Sequence, residues 1–156
     1  MRIIKFILLG IIMHFTYSCT SNVVYSEFIE IPHSQWNFDS VLNFTFEIEE
    51  PSNQACNTIV YILHEKNYSY QNLWFYVNKT VPNAMQKQDT IECYLADQRG
   101  KWLGSGHKSL LEMPVLIEQN IQLNQTGTYN YQVRHAMRED DLKGIKSIGI
   151  KIEQIN

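Results

Sequence analysis

From Val41 to Ile48 the apolar residues Leu42, Phe44, Phe46 and Ile48 alternate with Asn43, Thr45 and Glu47. A period of two builds a strand with one buried and one wet face. The same alternation returns at Ser147 to Ile152, where Ile148, Ile150 and Ile152 oppose Gly149, Lys151 and Glu153. Between these two segments, β-branched and aromatic runs recur at about ten-residue spacing. They are Thr58 to His64, Leu73 to Asn78, Thr90 to Leu95, Pro114 to Leu123 and Thr128 to Val133, with Tyr25 to Ile31 ahead of them, stopped by Pro32. Thr58 to His64 and Leu73 to Asn78 are apolar on both faces, as central strands are, and Lys66 to Asn72 between them is too polar for a core. Asn124-Gln-Thr-Gly127 reads as a hairpin turn. His135 to Lys143 is the one helical candidate, closed by Gly144. About eight strands and one short helix predict an all-β fold, a single antiparallel β-sandwich over residues 25–156.

The first residues stand outside that pattern. Met1-Arg-Ile-Ile-Lys5 is basic, Phe6 to Phe15 is apolar, and Thr16-Tyr-Ser-Cys19 follows. This is the layout of a secretory signal, and the run is too short for a membrane span, which needs about twenty apolar residues. Thr-Tyr-Ser-Cys resembles a bacterial lipobox, departing from it in the bulk of Tyr17. The expectation is a signal peptide over residues 1–18, an acylated Cys19 and a tether over residues 19–24.

Of the 13 Lys and Arg residues the signal carries Arg2 and Lys5, so 11 basic residues face 16 acidic ones in the mature chain, a net charge of −5. That balance argues against nucleic acid as a partner. No basic run would hold anionic lipid, so membrane attachment rests on the acyl chains. Cys56 and Cys93 remain as an even pair in an exported protein. They are a candidate disulfide, although the apolar neighbours of Cys93 equally suit a buried free thiol.

Chemistry is sparse. Leu95-Ala-Asp-Gln-Arg-Gly-Lys-Trp-Leu-Gly-Ser-Gly106 unites charges, a tryptophan and three glycines, so its backbone turns sharply and holds one shape. It is no phosphate cradle, because Lys101 precedes Trp102 where a P-loop has Ser or Thr. Ser105 and His107 lack the spacing of a nucleophile elbow. His33, His64, His107 and His135 are scattered singly, and Asp140-Asp141 lacks a calcium-loop pattern, so no metal or cofactor is implied. Tyr68, Tyr70, Trp74 and Tyr76 cluster around one loop and strand. They are either flat platforms for a sugar or peptide or the packing of a central strand. Asp39-Ser40-Val41 and Asp89-Thr90-Ile91 look like O-glycosylation sequons at Ser40 and Thr90, and they equally suit turn exits.

The lipobox-like start, the loop at 95–106, Gly127-Thr-Tyr129, His135-Ala-Met-Arg138, Leu142-Lys-Gly144 and the ending Ile148-Gly-Ile-Lys-Ile-Glu-Gln-Ile-Asn156 together resemble the GldH gliding-motility lipoproteins of the Bacteroidota. The resemblance runs from Cys19 to the last residue. It implies a non-enzymatic envelope lipoprotein, held to a membrane through Cys19 and associated with other lipoproteins of the motility system and the linked type IX secretion apparatus. Asp97, Gly100, Lys101, Trp102, Gly104 and Gly106 match the family's motif loop without an assigned role, and Arg99 lies among them as a further candidate contact. Thr-Ser-Asn-Val-Val after Cys19 lacks the acidic cluster of a surface-export signal, which favours a periplasm-facing protein.

Overall fold

A computed structural model describes residues 22–84 and 86–155. The signal segment and Cys19 lie outside the described residues. Ten strands follow in order: β1 Val23–Glu30, β2 Gln35–Asn37, β3 Leu42–Ile48, β4 Ser52–Glu65, β5 Asn72–Thr80, β6 Lys87–Tyr94, β7 Leu110–Leu123, β8 Gly127–His135, β9 Asp141–Lys143 and β10 Ile145–Gln154. One four-stranded sheet has the order β1-β10-β4-β7, the other β3-β8-β5-β6, and β2 pairs with β9 as a small third sheet. All named pairings are antiparallel.

The alternating residues do what their period requires. In β4 Cys56, Thr58, Val60, Ile62 and His64 are buried, in β5 Leu73, Phe75 and Val77, and in β10 Ile148, Ile150 and Ile152. These side chains meet in one core between the two larger sheets. As expected, β4 and β5 are interior strands of their sheets.

Three expectations change. The helix over 135–143 is absent: His135 ends β8, and Asp141–Lys143 form β9 against β2. Pairing Leu142 with Trp36, both fully buried, places two large apolar groups in the core. That outweighs the modest helix propensity of so short a segment. Gly144, at φ +95°, then turns the chain into β10 and donates its amide to the Ser34 carbonyl at 2.8 Å. The second change concerns 124–127, which forms no hairpin. β7 pairs only with β4 and β8 only with β3 and β5, so this turn carries the chain from one sheet to the other. The third is the disulfide: Cys56 and Cys93 are free and buried, one in β4 and one in β6, strands of opposite sheets. Burial raises the Cys56 thiol pKa and pushes that of Cys93 up to about 11, so both stay protonated.

A polar clasp crosses the core. The β4–β7 register shifts on both sides of the Thr58–Glu118 pair, and such bulges re-aim a side chain. Glu118 is thereby turned between the sheets. It accepts hydrogen bonds from Lys79 Nζ at 2.9 Å to each oxygen, Tyr131 OH at 2.8 Å and Thr58 Oγ1 at 3.1 Å. Burial, and after it the Glu118 charge, hold the Tyr131 hydroxyl far above its ordinary range, so it remains a donor. Glu118→Ala leaves three donors facing an empty site. Because removing one partner of a buried pair strands the other, it should cost about 3 kcal/mol in urea unfolding. A loss below about 1 kcal/mol, the range of an exposed pair, would contradict this reading.

Candidate functional site

The glycine loop leaves β6 and folds back as a flap. The amides of Leu95 and Ala96 donate to the Gln71 carbonyl at 2.7 and 3.0 Å, and Ala96 faces Trp102 across an isolated bridge. Asp97 staples the tip: its Oδ1 accepts from the amides of Arg99 and Lys101, both at 2.9 Å. Gly100 completes that turn at φ +78°, a conformation side chains resist. The returning limb lies on β7, where Ser105 and Glu112 exchange backbone hydrogen bonds at 3.0 and 2.7 Å. Here glycine is required for closeness, since a Cβ on Gly104 would sit 2.7 Å from the Glu112 carbonyl oxygen and one on Gly106 2.2 Å from that of Leu110.

Trp102 is half-buried, its ring centroid 4.8 Å from that of the fully buried His64. Of the motif residues, Asp97, Gly100, Trp102, Gly104 and Gly106 thus shape the flap, while Arg99 and Lys101 are exposed. Ser105 engages Glu112 through its backbone and His107 is exposed.

The candidate aromatics divide. Tyr68 is no surface platform: it is buried, and its hydroxyl donates to the Asn72 carbonyl at 3.1 Å. Trp74 faces outward from β5 and is 38% exposed, while Leu73, Phe75 and Val77 fill the core side. It shares a cleft of about 660 Å³ with Tyr70, Asn72 and residues 136–139. Tyr70 donates to Glu139 Oε1 at 2.6 Å and Asn72 Nδ2 to Glu92 Oε1 at 2.7 Å; the Ala136 amide donates to the Trp74 carbonyl at 2.7 Å. The Ala-Met-Arg turn and the aromatic cluster are therefore two walls of one feature.

Residues that sequence reasoning passed over extend it. Tyr94, 60% exposed, pairs with Asn72, and with Leu103, 52% exposed, it lines a smaller hollow of about 380 Å³ beside the flap. On the other side the Arg134 guanidinium lies 5.4 Å from the centre of the Tyr76 ring and 4.8 Å from that of Phe38. An aromatic band thus runs across the outer face of the second sheet. Its signal was strand parity: with Cys93 and Leu95 inward, Tyr94 points out.

A family model described as GldH lipoprotein matches residues 23–152, from the first residue of β1 to Ile152 in β10. The chain belongs to the GldH lipoprotein family. It is 28% identical over 145 residues to the gliding motility lipoprotein GldH of Flavobacterium johnsoniae, covering 88% of this chain and 89% of that one. Among solved structures, dimeric latent PorU from Porphyromonas gingivalis aligns over 83% of this chain and 13% of its own at TM-score 0.31. The infectious bursal disease virus VP2 subviral particle does so over 85% and 35% at TM-score 0.32. Each is 11% identical, and neither likeness carries an argument. As a GldH lipoprotein the protein is a membrane-anchored component of the cell envelope, of the gliding-motility type. The loop at 95–106 is, in this chain, a flap built by close backbone approach.

Two measurements check the site. Trp102→Ala should cost about 2–3 kcal/mol, less than the full penalty for a completely buried ring. Gly106→Ala should destabilise more than Gly100→Ala, whose added Cβ meets nothing closer than 3.9 Å and whose cost is about 1 kcal/mol of backbone strain. Equal losses from the two glycine substitutions would contradict the packing of the flap on β7.

Acid should also unfold the protein early. Burial lowers the pKa of both His64 and His135 below the ordinary 6.5, a direction that partial opposing contributions from the Glu65 and Trp36 backbones do not reverse. The unfolded chain then binds more protons once pH falls below about 6.5. Stability is full above that value and declines as pH drops toward the lowered folded pKa. The melting temperature should fall between pH 7 and 5, with a shallower slope in His64→Asn; identical slopes would contradict this.

Proposed function

We propose that this protein is a non-enzymatic, periplasm-facing assembly component that binds another protein of the motility and secretion machinery through the aromatic face of its second sheet. The observation that carries the reading is the outward Trp74, placed with Tyr70 and the Ala136–Glu139 turn in one cleft and flanked by Tyr94 and Leu103 beside the flap. Exposed aromatics around a pocket are the usual anchors of protein interfaces. The family supports an envelope role, and Cys19, acylated, would supply the membrane attachment. Arg99 and Lys101 on the exposed flap supply positive charge at the rim, where complementary charge speeds encounter with a partner.

A second reading, binding of a carbohydrate, draws on the same exposed Trp74. Its ring, next to Asn72 and the Tyr70 hydroxyl, offers an apolar plate beside polar groups, which is how sugars are held.

Crosslinking and pulldown from the native envelope distinguish the two. The first reading predicts envelope proteins captured by the wild type and lost with Trp74→Ala, at unchanged melting temperature. If Trp74→Ala leaves capture intact, the aromatic face is not the contact; if it instead abolishes glycan-array binding, the carbohydrate reading replaces it. Cys19→Ala should leave the membrane fraction or remain unprocessed, and a variant that stayed membrane-bound would refute the anchor.

A further inference from the structure

The outer faces of the two large sheets differ in kind. On the second sheet, away from the aromatic band, cross-strand pairs are polar: Asn130 Nδ2 bonds Thr45 Oγ1 at 2.7 Å and Gln132 Nε2 bonds Asn43 Oδ1 at 2.9 Å. On the first sheet one row reads Phe28, Gly149, Tyr61, Pro114 across β1, β10, β4 and β7, and the next reads Ser26, Lys151, Ile59, Leu116, its apolar half on β4 and β7. Phe28 is 50% exposed and Leu116 44%. Gly149 lets the Phe28 ring lie flat across the sheet, since a Cβ there would meet ring atoms at 2.4 Å, and the ring reaches toward Tyr61 with centroids 5.7 Å apart. An antiparallel sheet facing water alternates apolar and polar residues. This one is polar at its margins, with Glu30 and Glu112 in the row on one side and Glu153 and Asn57 on the other, but carries an apolar patch at its centre. A contiguous apolar patch marks a surface that something covers.

We infer that the outward face of the first sheet, Phe28, Tyr61, Pro114, Ile59 and Leu116, rests on the lipid bilayer, so that the aromatic face of the second sheet is turned away from it. What selects the bilayer is the tether. β1, the edge strand of this sheet, begins at Val23, four residues after Cys19. Four residues span at most about 14 Å, so an acylated Cys19 holds the β1 edge at the membrane surface. Of the two broad faces, the one that shares the moored strand is also the one whose side chains partition into an interface. Charge does not draw this face to the bilayer: Lys151 is paired with Glu153 at 2.7 Å, and Glu30 and Glu112 add carboxylates at the margin of the patch. Contact is therefore made by apolar groups and is insensitive to salt and to the content of anionic lipid. The inference rests on acylation of Cys19 and is independent of which partner the opposite face takes.

The test is spin-label depth on the full acylated lipoprotein in phosphatidylethanolamine/phosphatidylglycerol vesicles. One label is placed at Leu116→Cys and one at Thr45→Cys on the second sheet, both exposed positions. Unsubstituted protein gives the background of the buried Cys56 and Cys93. The expected result is a 116 label shielded from a water-soluble nickel chelate and relaxed by oxygen, with the 45 label the reverse, at both low and high salt. Both labels open to the chelate on vesicle-bound protein would overturn the orientation and leave the anchor standing. Failure to recover the protein with vesicles would overturn the anchor, and the orientation with it. Dipolar broadening between 116 labels would assign the face to a second copy, and shielding from the chelate without oxygen relaxation would assign it to protein contact; either overturns the proposal.

Discussion

The Glu118 carboxylate lies between two sheets, and much of the architecture is arranged to keep it satisfied. Its partners come from three strands, Thr58 on β4 in its own sheet and Lys79 and Tyr131 on β5 and β8 in the other. A side chain that needs donors on both sides of the core fixes how the sheets face each other. It also fixes register, because a one-residue slip of β7 would send Glu118 to the outer face and strand its donors. The bulges bracketing Thr58 are the geometric cost of that inward turn. Apolar burial supplies the bulk of the driving force, and the clasp selects one arrangement among those that burial alone would allow.

The flap folds over the end of β4, where Trp102 covers His64, and its glycines bring backbone onto β7 closely enough to hydrogen-bond. The flap is thus tied to both sheets, to the second through Gln71 and to the first through Glu112. This fixes the position of Tyr94 and Leu103 beside the cleft of Trp74. An aromatic, partly polar surface on one side and an apolar patch on the other are what the proposed arrangement, held at a membrane with a contact site turned away from it, requires. The GldH family membership gives that geometry its setting in the envelope.

How much of this was legible depends on how local its cause was. Strands with alternating residues, β3 and β10 above all, declare themselves, and the interior positions of β4 and β5 follow from apolar residues on both faces. β2 and β9, three residues each, carry too short a period to read, and the helix expected over 135–143 rested on a local pattern that the long-range Trp36–Leu142 pairing overrides. The turn at 124–127 has hairpin residues, yet whether a turn joins strands of one sheet or two depends on packing that no four residues encode. Cys56 and Cys93 could be counted but not placed. In the loop, sequence identified the glycines and tryptophan as special. That Asp97 staples the tip required the positions of two amide groups. Glu118 was invisible as a link between the sheets, because a glutamate within an apolar run reads as an outward side chain until a bulge turns it.

The central functional claim is that the second sheet, and not the first, meets other proteins of the envelope. A photo-crosslinking residue introduced in the living cell at position 94, and separately at position 116, tests it most directly. The account predicts discrete protein adducts from position 94 and lipid or no adducts from position 116. Protein adducts from 116 with none from 94 would contradict it.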